Sequence, residues 1–343
     1  MDSLVTLREI EAAARRITGV AVRTGLHKIS PERLRAAGVG ELPFELYIKA
    51  ESEQPIGSFK LRGAYNRIAQ LSAEELGRGV ITYSSGNHAQ GVAYAARALG
   101  AKAVIVMPGN APAVKIEATK ALGAEVVLVG PASSERMAKA LELAAAHGYT
   151  VIPPYDDPAI IAGQATCGLE IVEQLGGNAE GTVILSPVSG GGLLSGIATA
   201  VKLATSGGVQ VWGAEPELAA DAKESFETKT LVEWPAAKTT RTISDGLRTQ
   251  SVGVLNFQHI LRFVDGIVTV SEDEILAAMR VMLAATGLVA EPSGAVTLAA
   301  ALFHHAELPK CDRLVAVLSG GNIEPALRGE LEAGASVGGR VGV

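Results

Sequence analysis

Four short turns in this 343-residue chain gather the side chains best able to do chemistry: 57–63 (GSFKLRG), 84–88 (SSGNH), 189–193 (SGGGL) and 319–322 (SGGN). Lys60 sits in the first, between Phe59 and Leu61. A lysine held in a partly dry site has a lowered pKa and can add to an aldehyde. A lysine that snorkels along an apolar surface is the commoner outcome, and the heptapeptide alone does not separate the two. The third turn places Ser189, Gly190, Gly191 and Gly192 ahead of Leu193. Glycines let the backbone approach an anion, and a helix opening there adds unpaired N–H groups and a positive dipole end, which suits a phosphate. A plain tight turn fits the same residues. A P-loop needs Gly-Lys-Ser/Thr and no lysine occurs in 189–200, while the dinucleotide pattern counted from Gly190 fails at Ser195. Any phosphate held there belongs to a smaller ligand. The second turn supplies Ser84, Ser85, Asn87 and His88, a set that either holds a carboxylate or caps a helix.

These turns need elements to carry them. Strand-like and helix-like patterns alternate along the chain. Strands are expected at 79–83, 102–107 and 125–129, with helices at 88–99, near 112–122 and near 133–147. Further strands are expected at 182–187, 209–214, 265–270 and 313–318, with a helix at 192–206. Such alternation predicts an α/β fold built on open, mostly parallel, twisted sheets flanked by helices. In open α/β sheets, ligands bind beyond the carboxyl ends of the strands, where the four turns would line one crevice.

Composition narrows the class. The chain is 48% hydrophobic and carries 39 glycines, long enough for two α/β units and unlike a disordered or fibrous chain. Its formal net charge of -6, with no Lys/Arg-rich run, argues against a nucleic-acid partner. No uncharged apolar stretch is long enough to predict a membrane span. Two distant cysteines, Cys167 and Cys311, make neither a disulfide framework nor a metal site, so a reducing cytoplasm is expected. The opening MDSLVTLREIEAAARRI lacks the pattern of a signal peptide. His27, His147, His259, His304 and His305 read as structural or surface residues.

Taken together, the turns resemble the serine/threonine dehydratase and serine racemase branch of pyridoxal-phosphate enzymes with the tryptophan-synthase β-type fold, also called fold type II. The likeness spans roughly residues 10 to 328. GSFKLRGA resembles the dehydratase lysine motif, with Leu61 where other branches carry Asp. SSGNHAQG, IIAGQATCGLEI at 160–171, EPSGA at 291–295 and LSGGN at 318–322 complete the set. The resemblance implies two domains, a small one at 60–153 and a large one formed by 1–59 and 154–343. It implies pyridoxal 5′-phosphate on Lys60 as a Schiff base, with Lys60 also the base for the substrate Cα proton. Phe59 would pack against the ring, Asn87 would contact its 3-hydroxyl, and Ser319 would face its nitrogen. Ser189, Gly190, Gly191, Gly192 and Leu193 would hold the phosphate. Ser85 would stand on the face opposite Lys60, while Ser84, Asn87 and His88 would gather around the substrate carboxylate.

A hydroxyl at Ser319 does not hold the ring nitrogen protonated as a carboxylate does, which favours prompt loss of a β-substituent. The expected activity is therefore dehydration and deamination of a β-hydroxy amino acid, L-threonine or L-serine first, to a 2-keto acid and ammonia. Serine racemization is an alternative, because Ser85 is present. Arg136 matches a position near the substrate in some relatives, which keeps an acidic substrate such as 3-hydroxyaspartate open beside phenylserine. An alternative from another class is a non-catalytic protein that binds a phosphorylated ligand. The stretch 213–221 (GAEPELAAD) resembles a divalent-cation site, with Glu215, Asp221 and the Ala219 carbonyl as oxygen ligands for Mg²⁺ or Ca²⁺. Solvated acids at a strand end fit the same residues. A homodimer or higher homo-oligomer is expected.

Overall fold

A computed structural model describes residues 4–130, 133–177, 179–205 and 207–336. Ten strands fall in chain order: β1 Leu26–Lys28, β2 Glu45–Ala50, β3 Val80–Thr82, β4 Ala103–Pro108, β5 Glu125–Val129, β6 Thr150–Val151, β7 Thr182–Pro187, β8 Val209–Pro216, β9 Gly266–Val270 and β10 Arg313–Leu318. They form a six-stranded sheet, β1-β2-β10-β7-β8-β9, and a four-stranded sheet, β5-β4-β3-β6. Every pairing among these strands is parallel except the edge pair β1–β2. The α/β class and the parallel sheets agree with the sequence reading. Three strands carry no sequence expectation. β2 holds a buried lysine, Lys49, inside an otherwise apolar run, and β1 and β6 are too short to show a period.

Both sheets are covered on two faces, so their central strands are buried throughout, as in β4, β7 and all but the first residue of β10. In the smaller sheet, Val80, Ile105 and Met107 face the helices Lys60–Ile68 and Asn87–Ala98. Ile81, Val104 and Val106 face the helix Ser133–His147 on the other side. The smaller sheet joins the larger body through the helix Pro158–Gln174. A Cβ on Gly163 would lie 2.6 Å from Gly63 Cα and 2.7 Å from the Arg62 carbonyl oxygen. Only glycine lets the helix that starts at Lys60 approach this closely. Among the described residues no helix is long and apolar enough to cross a membrane.

The start of that helix is also locked by charge. The Arg62 guanidinium is fully buried and donates to Glu51 (2.7 and 2.8 Å), to Glu170 (2.6 and 2.8 Å), to Thr166 (3.1 Å) and to the Val22 carbonyl (3.2 Å). Lys49, equally buried, donates to Glu170 at 2.6 Å and to Gln174 at 3.0 Å. Burial alone would raise the Glu51 carboxyl, but the Arg62 guanidinium outweighs it and holds the group below its ordinary value. Two cations face two carboxylates, so the cluster is neutral and its donors are satisfied. A buried ion group is tolerated on those terms.

Candidate active site

Lys60 is the first residue of the helix Lys60–Ile68. The loop before it is bound to the turn after β10: Phe59 N donates to the Ser319 carbonyl (3.0 Å), Gly321 N donates to the Gly57 carbonyl (2.9 Å), and Ser58 bridges Gly320. The Lys60 Nζ donates to the Pro154 carbonyl at 2.8 Å and lies 5.2 Å from the centre of the Phe59 ring. Among the described residues no carboxylate pairs with it, and burial pulls its pKa down to about 8. An amine of that pKa is partly neutral near pH 7, which is what addition to a carbonyl and proton abstraction both require.

The second turn lies beyond the carboxyl end of β3 and opens the helix Asn87–Ala98. Gly86 is the N-cap and makes no side-chain cap, so the capping alternative fails. Ser84 Oγ accepts from Gly86 N at 3.3 Å, and Ser85 is half-buried beside it. The Asn87 amide turns the other way, into the larger body. Its Nδ2 donates to Glu291 Oε1 (2.7 Å), and its Oδ1 accepts from Asn322 Nδ2 (2.7 Å). His88 is buried with Nε2 at 3.0 Å from the Ile152 carbonyl. Burial and the nearby Lys60 push its pKa down to about 3, so it is a neutral ring.

The third turn joins β7 to the helix Gly192–Ala204. Gly191 is left-handed at φ +91°, the conformation that makes the corner and favours glycine. Tyr155 lies directly on Gly190, where any Cβ would run into its ring, and a Cβ on Gly192 would also meet Tyr155, at 3.0 Å. Ser189 Oγ is 2.7 Å from Thr249 Oγ1, and the Gly190 carbonyl accepts from Asn256 Nδ2 at 2.9 Å. Leu193 is buried in the first turn of the helix. Tyr155 follows Pro154, so one dipeptide touches both the glycine turn and the Lys60 ammonium. A cavity of ≈ 330 Å³ lined by Tyr83, Pro154, Tyr155 and Val252 adjoins these residues.

The structure thus brings Phe59 and Lys60 against the turn that starts at Ser319, Asn87 to the same turn through Asn322, and the turn 189–193 to Lys60 through Pro154 and Tyr155. Arg136 stands apart from the Lys60 helix. It occupies the first turns of the helix Ser133–His147, on the opposite face of the smaller sheet, half-buried, with its guanidinium held below its ordinary value by burial. Glu215 is the penultimate residue of β8 and Asp221 opens the helix Asp221–Thr228, with Ala219 buried between them. Sequence reasoning assigns no role to Glu291 or Asn322, although both lie within the motifs EPSGA and LSGGN. Each is an acid or amide beside glycines, and only the tertiary structure shows them meeting Asn87. Thr249 carries no sequence signal, and Pro154 acts through a backbone carbonyl that no side-chain pattern reveals.

Residues 28–320 match the family described as "Pyridoxal-phosphate dependent enzyme", and the chain belongs to it. Among curated relatives, the L-threo-3-hydroxyaspartate ammonia-lyase of Saccharomyces cerevisiae is 39% identical over 82% of this chain and 83% of its own. A serine racemase of Schizosaccharomyces pombe is 37% identical over 94% of this chain and 96% of its own. Among solved structures, a threonine deaminase from T.th. is 45% identical with a TM-score of 0.84, covering 93% of this chain and 99% of that one. The fold is that of the type II pyridoxal-phosphate enzymes.

Proposed function

We propose that this protein is an ammonia-lyase that converts a β-hydroxy amino acid, L-threonine or L-serine first, to a 2-keto acid and ammonia. The observation that carries this reading is the Lys60 amine: partly buried, without a carboxylate partner among the described residues, and set beside Phe59 and, through Pro154 and Tyr155, the glycine turn that opens the helix Gly192–Ala204. The relatives named above act on threonine, serine or 3-hydroxyaspartate, which supports the substrate class.

The residues present fit pyridoxal phosphate. Gly190 and Gly192 make room for Tyr155, while the first backbone N–H groups of the helix Gly192–Ala204 have no intrahelical acceptor and suit a phosphate. Lys60 would hold the aldehyde carbon, Phe59 would cover one ring face, Asn87 would meet the 3-oxygen, and Ser319 would meet the ring nitrogen. When bound, the cofactor supplies an electron sink conjugated to the substrate Cα. Lys60 Nζ takes the Cα proton and returns it to the departing β-hydroxyl, which leaves as water. Ser319 offers a hydroxyl and no negative charge, so it does not store a proton on the ring nitrogen. Ser84 and the backbone N–H groups at the start of Asn87–Ala98 hold the carboxylate. The enamine released then takes up water and loses ammonia, so the net change is substrate to keto acid plus ammonia.

Glu215 and Asp221 support a cation in the same reading. Glu215 Oε2 and Asp221 Oδ2 are buried without partners. Burial pushes the Asp221 carboxyl up to about 7, and burial together with Asp221 raises Glu215 well above its ordinary value. Two orphaned carboxylate oxygens with the Ala219 carbonyl fit Mg²⁺ or Ca²⁺. No group of three His, Cys, Asp or Glu able to hold a metal is found among the described residues, so the carbonyl is a necessary part of that set.

The two sheets correspond in this reading to a small domain at 60–153 and a large domain from the rest, working as a homo-oligomer in a cytoplasm that keeps Cys167 and Cys311 reduced. Racemization is a second reading, favoured by Ser85, half-buried in the turn that opens the helix Asn87–Ala98. Keto-acid release over a panel of L-threonine, L-serine, 3-hydroxyaspartate and phenylserine tests the assignment, with chiral analysis of the remaining serine. Accumulation of D-serine without keto acid would overturn the lyase reading. A preference for 3-hydroxyaspartate that Arg136→Ala abolishes would move the substrate to an acidic one.

A further inference from the structure

The amide of Asn87 belongs to a relay whose direction is fixed at one end. Asn322 Nδ2 donates to the Ile56 backbone carbonyl at 2.9 Å and to Asn87 Oδ1 at 2.7 Å. A carbonyl oxygen only accepts. Exchanging the oxygen and nitrogen of Asn322 would set two oxygens against each other with no proton between them. The nitrogen of Asn322 must therefore face Ile56, so the group it meets on Asn87 must be the oxygen. That leaves the Asn87 nitrogen toward Glu291, whose Oε1 accepts from it at 2.7 Å. The assignment does not depend on the Glu291 charge, because an ionised carboxylate accepts at both oxygens and a protonated one still accepts at its carbonyl oxygen. Burial and Asp245 raise the Glu291 pKa to about 8, while Lys115, paired with Asp245 at 2.6 Å, acts against them.

We propose that Asn322 and Glu291 are positioning residues, Asn322 fixing the polarity of Asn87 and Glu291 holding one of its N–H groups, so that Asn87 offers an N–H, never an oxygen, to the ring oxygen of bound pyridoxal phosphate. One Asn87 N–H is spent on Glu291 and its carbonyl on Asn322, which leaves the second N–H as the group available. This rests on the function proposed above. A donor aimed at a phenolic oxygen stabilises its ionised form over its neutral form. The relay also joins two of the four turns, through Asn87 and Asn322, reaches Ile56 just before a third, and adds Glu291 from the helix boundary at Pro292.

The test titrates the apo full-length protein with pyridoxal 5′-phosphate and reads both the dissociation constant and the absorption bands of the ionised and neutral ring oxygen. Four proteins are compared: wild type, Glu291→Gln, Glu291→Leu and Asn322→Asp. Glu291→Gln should stay within about threefold of wild type, since its amide can turn an oxygen toward Asn87. Asn322→Asp puts acceptors against Ile56 and Asn87, and should weaken binding about tenfold or more and shift the bands toward the neutral oxygen. Glu291→Leu keeps Asn322 and so the Asn87 polarity, but it leaves one Asn87 N–H without its acceptor and should weaken binding about tenfold with the bands close to wild type. Unchanged binding and bands in Asn322→Asp, or equal losses in Glu291→Gln and Glu291→Leu, would overturn the proposal. If Asn322→Asp does not fold, the two Glu291 variants decide, because both keep Asn322. A wild type that binds no pyridoxal phosphate would instead overturn the functional reading.

Discussion

Lys60 and Arg62 lie two residues apart on one helix, are both withdrawn from bulk water, and have opposite fates. Arg62 meets the carboxylates of Glu51 and Glu170 and is held charged far above any accessible pH. Lys60 meets a carbonyl and an aromatic ring, and burial brings its pKa down to about 8. Burial is common to both, so the partner decides the outcome. A buried cation with counter-charges is a fastener, and one without them is a nucleophile and base. Arg62 lies two residues beyond Lys60, and Gly63 against Gly163 lets the helix close on its partners.

Separating the two roles gives the largest expected effect. Lys60→Ala should abolish keto-acid release, a loss beyond about 10³-fold, since base and carbonyl-binding amine disappear together. Its thermal unfolding should remain cooperative. Arg62→Leu should do the reverse and act first on stability. It leaves two buried carboxylates facing Lys49 alone, at a cost of about 3–5 kcal/mol in denaturant unfolding. Adding Glu51→Gln should return part of that loss, because it restores neutrality.

A subtler contrast concerns pH. The Lys60 pKa falls from 10.5 to about 8 on folding. Between those values the unfolded chain binds the extra proton, so this group's contribution to stability improves as pH rises through the window and is fully unfavourable below about 8. The apo form of Lys60→Met should therefore be more stable than the apo wild type at pH 7, by up to about 3 kcal/mol. The gain should vanish above pH 10.5. Equal stability differences at pH 7 and pH 11, read from urea midpoints, would contradict a desolvated lysine. At the small end, Ser189→Ala should cost about 1 kcal/mol through its bond to Thr249 and weaken phosphate-turn binding only slightly, since the turn works through its backbone.

Much of this is legible from sequence where the signal is local. The period of the central strands and the glycines of 189–193 define the sheet and the corner without tertiary information. Lys60 is different, because GSFKLRG looks the same whether its lysine is solvated or dry. What makes it dry is Pro154, 94 residues away, and a helix approach allowed by Gly163. Lys49 hides β2 for the opposite reason. A charge in an apolar run reads as a strand's end until Glu170 and Gln174 are found on it. Glu291 lies within a motif yet shows no work there, since its partner Asn87 is 204 residues earlier in the chain. Asn87 and His88 look like a cap and a carboxylate ligand. Gly86 caps the helix instead, and the ring of His88 turns inward to Ile152.

The most direct measurement is borohydride reduction of the protein loaded with pyridoxal 5′-phosphate, followed by digestion and mass analysis of the peptides. A single reduced adduct on Lys60, together with loss of the visible absorption band, is the expected result. An adduct spread over surface lysines, or none on Lys60, would contradict the assignment of that amine as the group on which the chemistry depends.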